Sequence, residues 1–235
     1  MRPLKISVFA DGAKLEDMFK RAREGFVKGL TTNPTLMAKS GVQKYKEFAK
    51  TVLAEIKTLP ISFEVFSDDF KEMERQAYEI STWGTNVNVK IPITNTKGES
   101  SLPLIRRLLD RRLKLNITAV FTHEQLDWLY EMIESKDDVI LSIFAGRIAD
   151  TGIDPMPIMR RAVEQFQDKT LCKILWASPR EVLNAYQADA CGCHIITMTD
   201  DLITKLSLRG RPLQEVSLDT VKMFYNDALR AGFSL

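Results

Sequence analysis

From residue 5 onward the chain repeats one alternation: a short apolar run, then a longer stretch in which apolar residues recur every three or four positions. The runs at 5–10, 28–32, 61–66, 86–91, 113–120, 139–145, 172–177 and 194–198 carry β-branched and aromatic residues and predict eight strands. Stretches 13–24, 42–57, 68–82, 99–111, 123–135, 155–167, 179–187 and 199–207 show the helical period instead. A last helix is predicted over 217–233 (the extra C-terminal helix, about 216–233), with Ser217 and Asp219 placed as caps at its start. A recurring βα unit implies parallel strands joined by right-handed crossovers. Eight units are the count of an α/β fold of the (β/α)8 TIM-barrel type, and 235 residues suit it. A doubly wound sheet is the competing topology, but its G-x-G-x-x-G sign after the first strand is absent. No linker or low-complexity segment divides the chain, so one domain is expected over 1–235.

Side chains alternate faces along a strand, so each predicted strand separates into a helix-facing row and an inner row. In 86–91 the apolar set Val87, Val89, Ile91 faces outward, leaving Asn86, Asn88 and Lys90 inside. In 113–120 Leu113, Leu115, Ile117 and Ala119 face outward, with Lys114, Asn116 and Thr118 inside. The same reading turns Ser62, Glu64 and Phe66 inward, then Ile140, Ser142 and Phe144, then Ser7, Phe9 and Asp11, and Thr31 with Asn33. Asp11, Asn33, Glu64, Lys90, Asn116, Thr118, Ser142 and Ser178 thus converge near strand C-terminal ends, where barrel active sites are built.

Composition removes several alternatives. Net charge is +2 from 33 basic and 31 acidic residues, which gives no footprint for nucleic acid. No apolar run reaches the roughly 18 residues of a membrane span, and the N-terminal run MRPLKISVFAD is too short for a signal-peptide core. Three cysteines, Cys172, Cys191 and Cys193, form a sparse, odd set without zinc spacing, which fits small buried residues in a reducing cytoplasm. His123 and His194 lie far apart and form no metal-ligand pattern, so a metal-dependent mechanism is not expected.

A lysine among carboxyls, amides and hydroxyls has two readings. Desolvation lowers an amine's pKa and neighbouring carboxylates raise it; where desolvation prevails, Lys90 can attack a ketone or aldehyde as a Schiff-base nucleophile, with Glu64, Asp11 and Thr118 moving protons. Alternatively Lys90 forms a structural ion pair with Glu64 or Asp11. Near the far strands, Arg147 follows Gly146, and Ser178 is placed to cap a helix starting at Pro179 and carrying Arg180. Two arginines and a helix start there would suit a phosphate. The run RRLLDRR at 106–112 reads as a solvated helical face.

Five segments then carry a resemblance: GLTTNPTLM at 29–37, VNVKIPIT at 87–94, LNITAVFTHEQ at 115–125, SIFAGRI at 142–148 and KILWASPR at 173–180. In this order they resemble the transaldolase family, from about Asp11 to Leu206, and the length resembles its short members and the fructose-6-phosphate aldolases. The resemblance implies a class I aldolase-like barrel without cofactor, acting on sugar phosphates through Lys90, with Asp11, Glu64 and Thr118 as the other catalytic residues. It implies Thr32, Asn33, Asn116 and Ser142 around a dihydroxyacetone unit, Phe144 beside it, and Arg147, Ser178 and Arg180 at the phosphate. Fructose-6-phosphate aldolases carry glutamine where Glu64 stands and tyrosine where Phe144 stands, so both positions resemble transaldolase. The chain departs from the family at Gly12, Trp176, Pro179 and the 95–99 loop, with Trp176 and Pro179 expected beside the phosphate end. Short members commonly form pentamers or decamers in which the C-terminal helix packs on a neighbour, so a homo-oligomer is expected.

Overall fold

The computed structural model describes residues 4–234; residues 1–3 and 235 of the expected 1–235 domain, and the start of its N-terminal run, lie outside that range. Eight strands form: β1 (Ser7–Asp11), β2 (Gly29–Thr31), β3 (Ile61–Glu64), β4 (Val87–Pro92), β5 (Leu115–Val120), β6 (Val139–Ile143), β7 (Cys172–Trp176) and β8 (Ile195–Met198). They pair in parallel in chain order, and β8 pairs back onto β1 to close the barrel. The predicted (β/α)8 architecture is therefore formed.

Around it run α1 (Leu15–Arg23), α2 (Pro34–Lys39), α3 (Tyr45–Glu55), α4 (Phe70–Ser81), α5 (Leu102–Asp110) and α6 (His123–Met132). The second half adds α7 (Ala145–Asp150), α8 (Met156–Gln165), α9 (Leu183–Ala190), α10 (Asp200–Lys205) and the long α11 (Leu213–Ala231). Two of these are additions to the sequence reading. Asn33 accepts the Leu36 N–H at 2.9 Å and Pro34 opens the first turn, which starts α2 directly after β2. Likewise β6 stops at Ile143, and α7 takes residues that read as strand end and loop.

The two faces of the sheet bury separate apolar sets. The larger fills the space between strands and helices and includes Val87, Val89 and Ile91, as the alternation implies. The smaller lies inside the barrel, where Phe9, Ile140, Leu175, Ala177 and Ile195 form a plug with Phe144 packed on it. Gly29 makes room for that plug: a Cβ there would sit 2.5 Å from the Phe9 ring.

One strand breaks the period. The register of β5 on β6 shifts between Ile117 and Val120, with Ala119 at φ 59°. Ala119 therefore lines the central cavity rather than only facing outward, and Val120 takes the fully buried place. The 106–112 face is also less solvated than its charge implied. Arg106 is half-buried against the buried Asp137 at 2.9 Å, and Arg107 reaches Glu74 at 2.7 Å.

At the C-terminal end, α11 starts four residues before the expected cap. Ser217 and Asp219 lie inside it, and Asp219 instead accepts from Arg211 at 2.7 Å. None of its residues is buried. No helix among the described residues is long and apolar enough to cross a membrane.

Candidate active site

Lys90 enters the barrel from the inner row of β4 and is 6% exposed. Its Nζ lies 3.1 Å from Glu64 Oε2 and donates to the Thr32 carbonyl at 3.4 Å. Parallel register explains this company: Glu64 of β3 and Asn116 of β5 sit directly beside Lys90. Of the two ion pairs open to Lys90, the one with Glu64 forms, and Asp11 makes none with it.

Asp11 ends β1 on the same cavity. Thr31 Oγ1 donates to its Oδ1 at 2.7 Å and shares a further hydrogen bond with the Thr197 hydroxyl. Burial pushes the Asp11 carboxyl above the ordinary carboxylate range; the charge of Lys90 and the Thr31 hydrogen bond oppose this, and Glu64 reinforces it. A carboxyl raised in the folded state costs stability once the unfolded chain's aspartate has ionised, near 3.8 and above. Asp11→Asn is therefore expected to raise Tm, with a gain small near pH 4 and growing towards neutrality. Melting curves of both proteins from pH 4 to 8 check this; a gain independent of pH would contradict the burial argument.

Behind the lysine a line of polar groups crosses three strands. Ser142 Oγ donates to Asn116 Oδ1 at 2.7 Å, and Asn116 Nδ2 donates to Ser62 Oγ at 3.0 Å. Thr118, two residues beyond Asn116, is 2% exposed, and its hydroxyl has no hydrogen-bond partner among the described residues. A buried hydroxyl in that state is costly unless something in the cavity engages it.

The cavity at the C-terminal mouth measures about 480 Å³, within the range of small-molecule sites. Asp11, Asn33, Glu64, Lys90, Thr118, Ser142, Phe144, Arg147, Ser178 and Arg180 all line it. Thr32 and Asn116 do not: the Thr32 hydroxyl is spent on the Ser62 carbonyl at 2.9 Å, and both Asn116 amide groups are engaged as above. Asn33 uses Oδ1 as the α2 cap, which leaves its Nδ2 donor uncommitted.

The far wall differs from expectation in two ways. Ser178 does not cap a helix. It sits at φ 60°, the helix α9 begins only at Leu183, and Asn184 Oδ1 instead accepts the Arg180 N–H at 2.7 Å. Trp176 does not flank the cavity; it is fully buried on the helix-facing side of β7, while Pro179 does line the mouth. Arg180 lies against Asp150 of α7, its Nε 3.0 and 3.1 Å from the two carboxylate oxygens. Arg147 stacks over the Phe144 ring, 5.4 Å from its centre, and Phe144 stacks on Phe121 at 5.5 Å.

Thr197 and Lys39 also line the cavity, and Asp150 borders it through Arg180. Counting alternate residues back from Thr199 along β8 would have turned Thr197 inward. Lys39 arrives only with α2, and the Asp150–Arg180 pair joins residues 30 apart in the chain. No group of three or more metal-binding side chains occurs among the described residues. The three cysteines are free and buried, and burial pushes Cys172 up to about 12.

A closed parallel barrel with a buried lysine and two carboxyls at its C-terminal mouth defines a (β/α)8 protein of the kind that works from its strand ends. The sequence narrows this further. The chain belongs to the transaldolase/fructose-6-phosphate aldolase family, which it matches over residues 8–235. Its relatives include a protein named "Probable transaldolase" from Dehalococcoides mccartyi, 33% identical over 192 residues that cover 81% of this chain and 85% of the relative. One of the same name from Streptococcus agalactiae serotype V is 33% identical over 214 residues, covering 90% and 94%.

Solved structures extend the likeness in fold alone. The tryptophan synthase α subunit from Campylobacter jejuni has a TM-score of 0.56 at 13% identity over 85% of this chain and 88% of that one. Orotidine 5'-monophosphate decarboxylase from Metallosphaera sedula has 0.54 at 13% identity, over 90% and 95%.

Proposed function

We propose that this protein is a metal-independent transaldolase that carries a dihydroxyacetone unit from a ketose phosphate to an aldose phosphate as a Schiff base on Lys90. The observation that carries the reading is the buried Lys90 amine, 3.1 Å from Glu64 on the floor of the cavity. As the neutral amine, Lys90 attacks the ketose carbonyl carbon; the carbonyl oxygen gains protons and leaves as water, so a protonated imine forms. Glu64 and the free Thr118 hydroxyl are the groups within the cavity to pass those protons. The imine then draws the electrons of the neighbouring C–C bond as a hydroxyl proton moves to a carboxylate. The aldose phosphate departs and an enamine stays on Lys90. Asp11, held above the ordinary range, is suited to take that proton and return it to the acceptor. The acceptor aldehyde re-forms the C–C bond, and water releases the new ketose.

Ketoses of the fructose 6-phosphate or sedoheptulose 7-phosphate type, with acceptors such as erythrose 4-phosphate or glyceraldehyde 3-phosphate, fit this division. Arg147, Arg180 and Lys39 supply positive charge at the mouth, with Arg180 shared by Asp150. The Asp150 pairing and Pro179 also leave room for a sugar bearing a different anion. Borohydride reduction in the presence of fructose 6-phosphate tests the reading: one dihydroxyacetone adduct on the Lys90 peptide is expected. An unmodified protein would instead favour a barrel that binds sugar phosphates without turning them over.

The second reading, an aldolase that releases free dihydroxyacetone, turns on Phe144. Its ring lines the cavity between Phe121 and Arg147 and has no hydroxyl to protonate the enamine. Phe144→Tyr is expected to raise acceptor-independent cleavage roughly tenfold or more, since a positioned acid commonly contributes at least that much. Assays with and without an aldose phosphate read the partition, and an unchanged ratio would remove Phe144 from the account.

The exposed α11 supports a homo-oligomer. Val221, Phe224 and Leu229 are all more than half exposed on a helix that buries none of its residues. Light scattering before and after removal of residues 213–235 measures its part in assembly. The three buried thiols suit a reducing cytoplasm.

A further inference from the structure

At the opposite, N-terminal end of the barrel lies a second cavity of about 360 Å³. Phe9, Ile140 and Ile195 of the interior plug form its floor and separate it from the catalytic mouth. Its rim is basic. Lys57 lies before β3, Lys114 immediately before β5, and Lys173 near the start of β7. None of the three takes part in an ion pair among the described residues, although Asp138 lines the same cavity. Lys114 is steadied there by the Thr85 carbonyl, 3.1 Å from its Nζ.

A second observation comes from the wall. Asn88, on the inner row of β4 two residues before Lys90, is 5% exposed and lines this cavity. Its side-chain amide makes no hydrogen bond within the described protein. The β4–β5 register sets Asn88 beside Lys114, and the β6–β7 register sets Lys173 beside Ile140 of the floor. An uncommitted amide that faces the cavity has a donor and an acceptor to offer a ligand there. Three ammonium groups against one carboxylate give the pit a surplus of two positive charges, focused by an apolar floor. A phosphate oxygen answers both demands, accepting from the amide and offsetting the ammonium charge.

We infer that the N-terminal cavity, bounded by Lys57, Asn88, Lys114 and Lys173, is a second binding site that takes a compact phosphate-type oxyanion of charge two or more. The site is independent of the sugar-phosphate reading, because the plug stands between the two cavities.

Calorimetric titration of the full chain with inorganic pyrophosphate, at ionic strength held constant with sodium chloride, tests this. Two classes of site are expected in the unaltered protein, one at each end of the barrel. In Lys114→Gln/Lys173→Gln, affinity at one class should fall roughly tenfold or more, as removal of two close charges implies, while turnover persists and shows the barrel intact. In Arg147→Gln/Arg180→Gln the complementary class should weaken and the lysine-dependent one remain. The inference is overturned if the double lysine variant titrates like the unaltered chain. It is equally overturned if pyrophosphate shows no binding that survives the arginine substitutions.

Discussion

Lys90→Ala is expected to abolish turnover, by about 10⁴-fold or more, because in the proposed mechanism Lys90 is the covalent nucleophile and its loss removes the path and not one contribution to it. The barrel should still close. Strand pairing on both sides of β4 runs through the backbone, and the outward residues Val87, Val89 and Ile91 are untouched. The cost falls on Glu64, which loses its partner at 3.1 Å and becomes an unpaired, mostly buried carboxylate. Lys90→Met, which restores the stem volume, separates packing from chemistry: it should recover stability without recovering activity. Circular dichroism, melting and single-turnover assays with fructose 6-phosphate read these quantities. Wild-type kcat in either variant would end the proposed mechanism, and so would a borohydride adduct on any other lysine.

Gly146→Ala is expected to destabilise the protein severely, since an added Cβ meets a closer atom there than at Gly29 or Gly84. A Cβ at this position would lie 1.5 Å from the Ser178 carbonyl oxygen and 2.6 Å from its carbon. Both atoms are backbone and cannot rotate aside. The Gly146 N–H also donates to the Ala177 carbonyl at 3.2 Å, so the first turn of α7 and the loop after β7 are joined at the point of conflict. Overpacking of this kind costs about 3 kcal/mol or more, which corresponds to a fall in Tm of roughly 6–12 °C in a chain of this size. Activity should fall as well, since Arg147 follows the glycine and Arg180 lies two residues after Ser178 at the cavity rim. A Tm within a degree or so of the parent would mean that α7 and the loop after β7 separate far more easily than their contact implies.

Much of this architecture is legible in the sequence because strands in a barrel bury both faces differently. Val87, Val89 and Ile91 alternating with Asn86, Asn88 and Lys90 admits one orientation, and the structure adopts it. The same count from Cys172 would have turned Trp176 towards the helices, where it lies. What escaped has physical reasons. Helices α2 and α7 have six residues each, too few for a 3.6-residue period to repeat visibly. The left-handed backbone of Ser178 has no sequence sign, since such a residue is ordinarily glycine or asparagine. Ser217 and Asp219 are good capping types, yet the chain turns into α11 directly after Pro212, and the later caps are never used. The Asp150–Arg180 pair and the engagement of Thr32 with Ser62 depend on distances between loops that only the folded barrel sets.

The seam Ser142–Asn116–Ser62 has a consequence for any attempt to redesign the mouth. Its links are in series, so cutting one strands the next, and the losses from separate cuts will not sum. Swapping Asn116 for a hydrocarbon would leave two hydroxyls without the acceptor and the donor they now have. Removing all three polar ends together would then do less harm than removing the middle one. The wall behind the lysine is in that sense one component, and it would have to be exchanged as one.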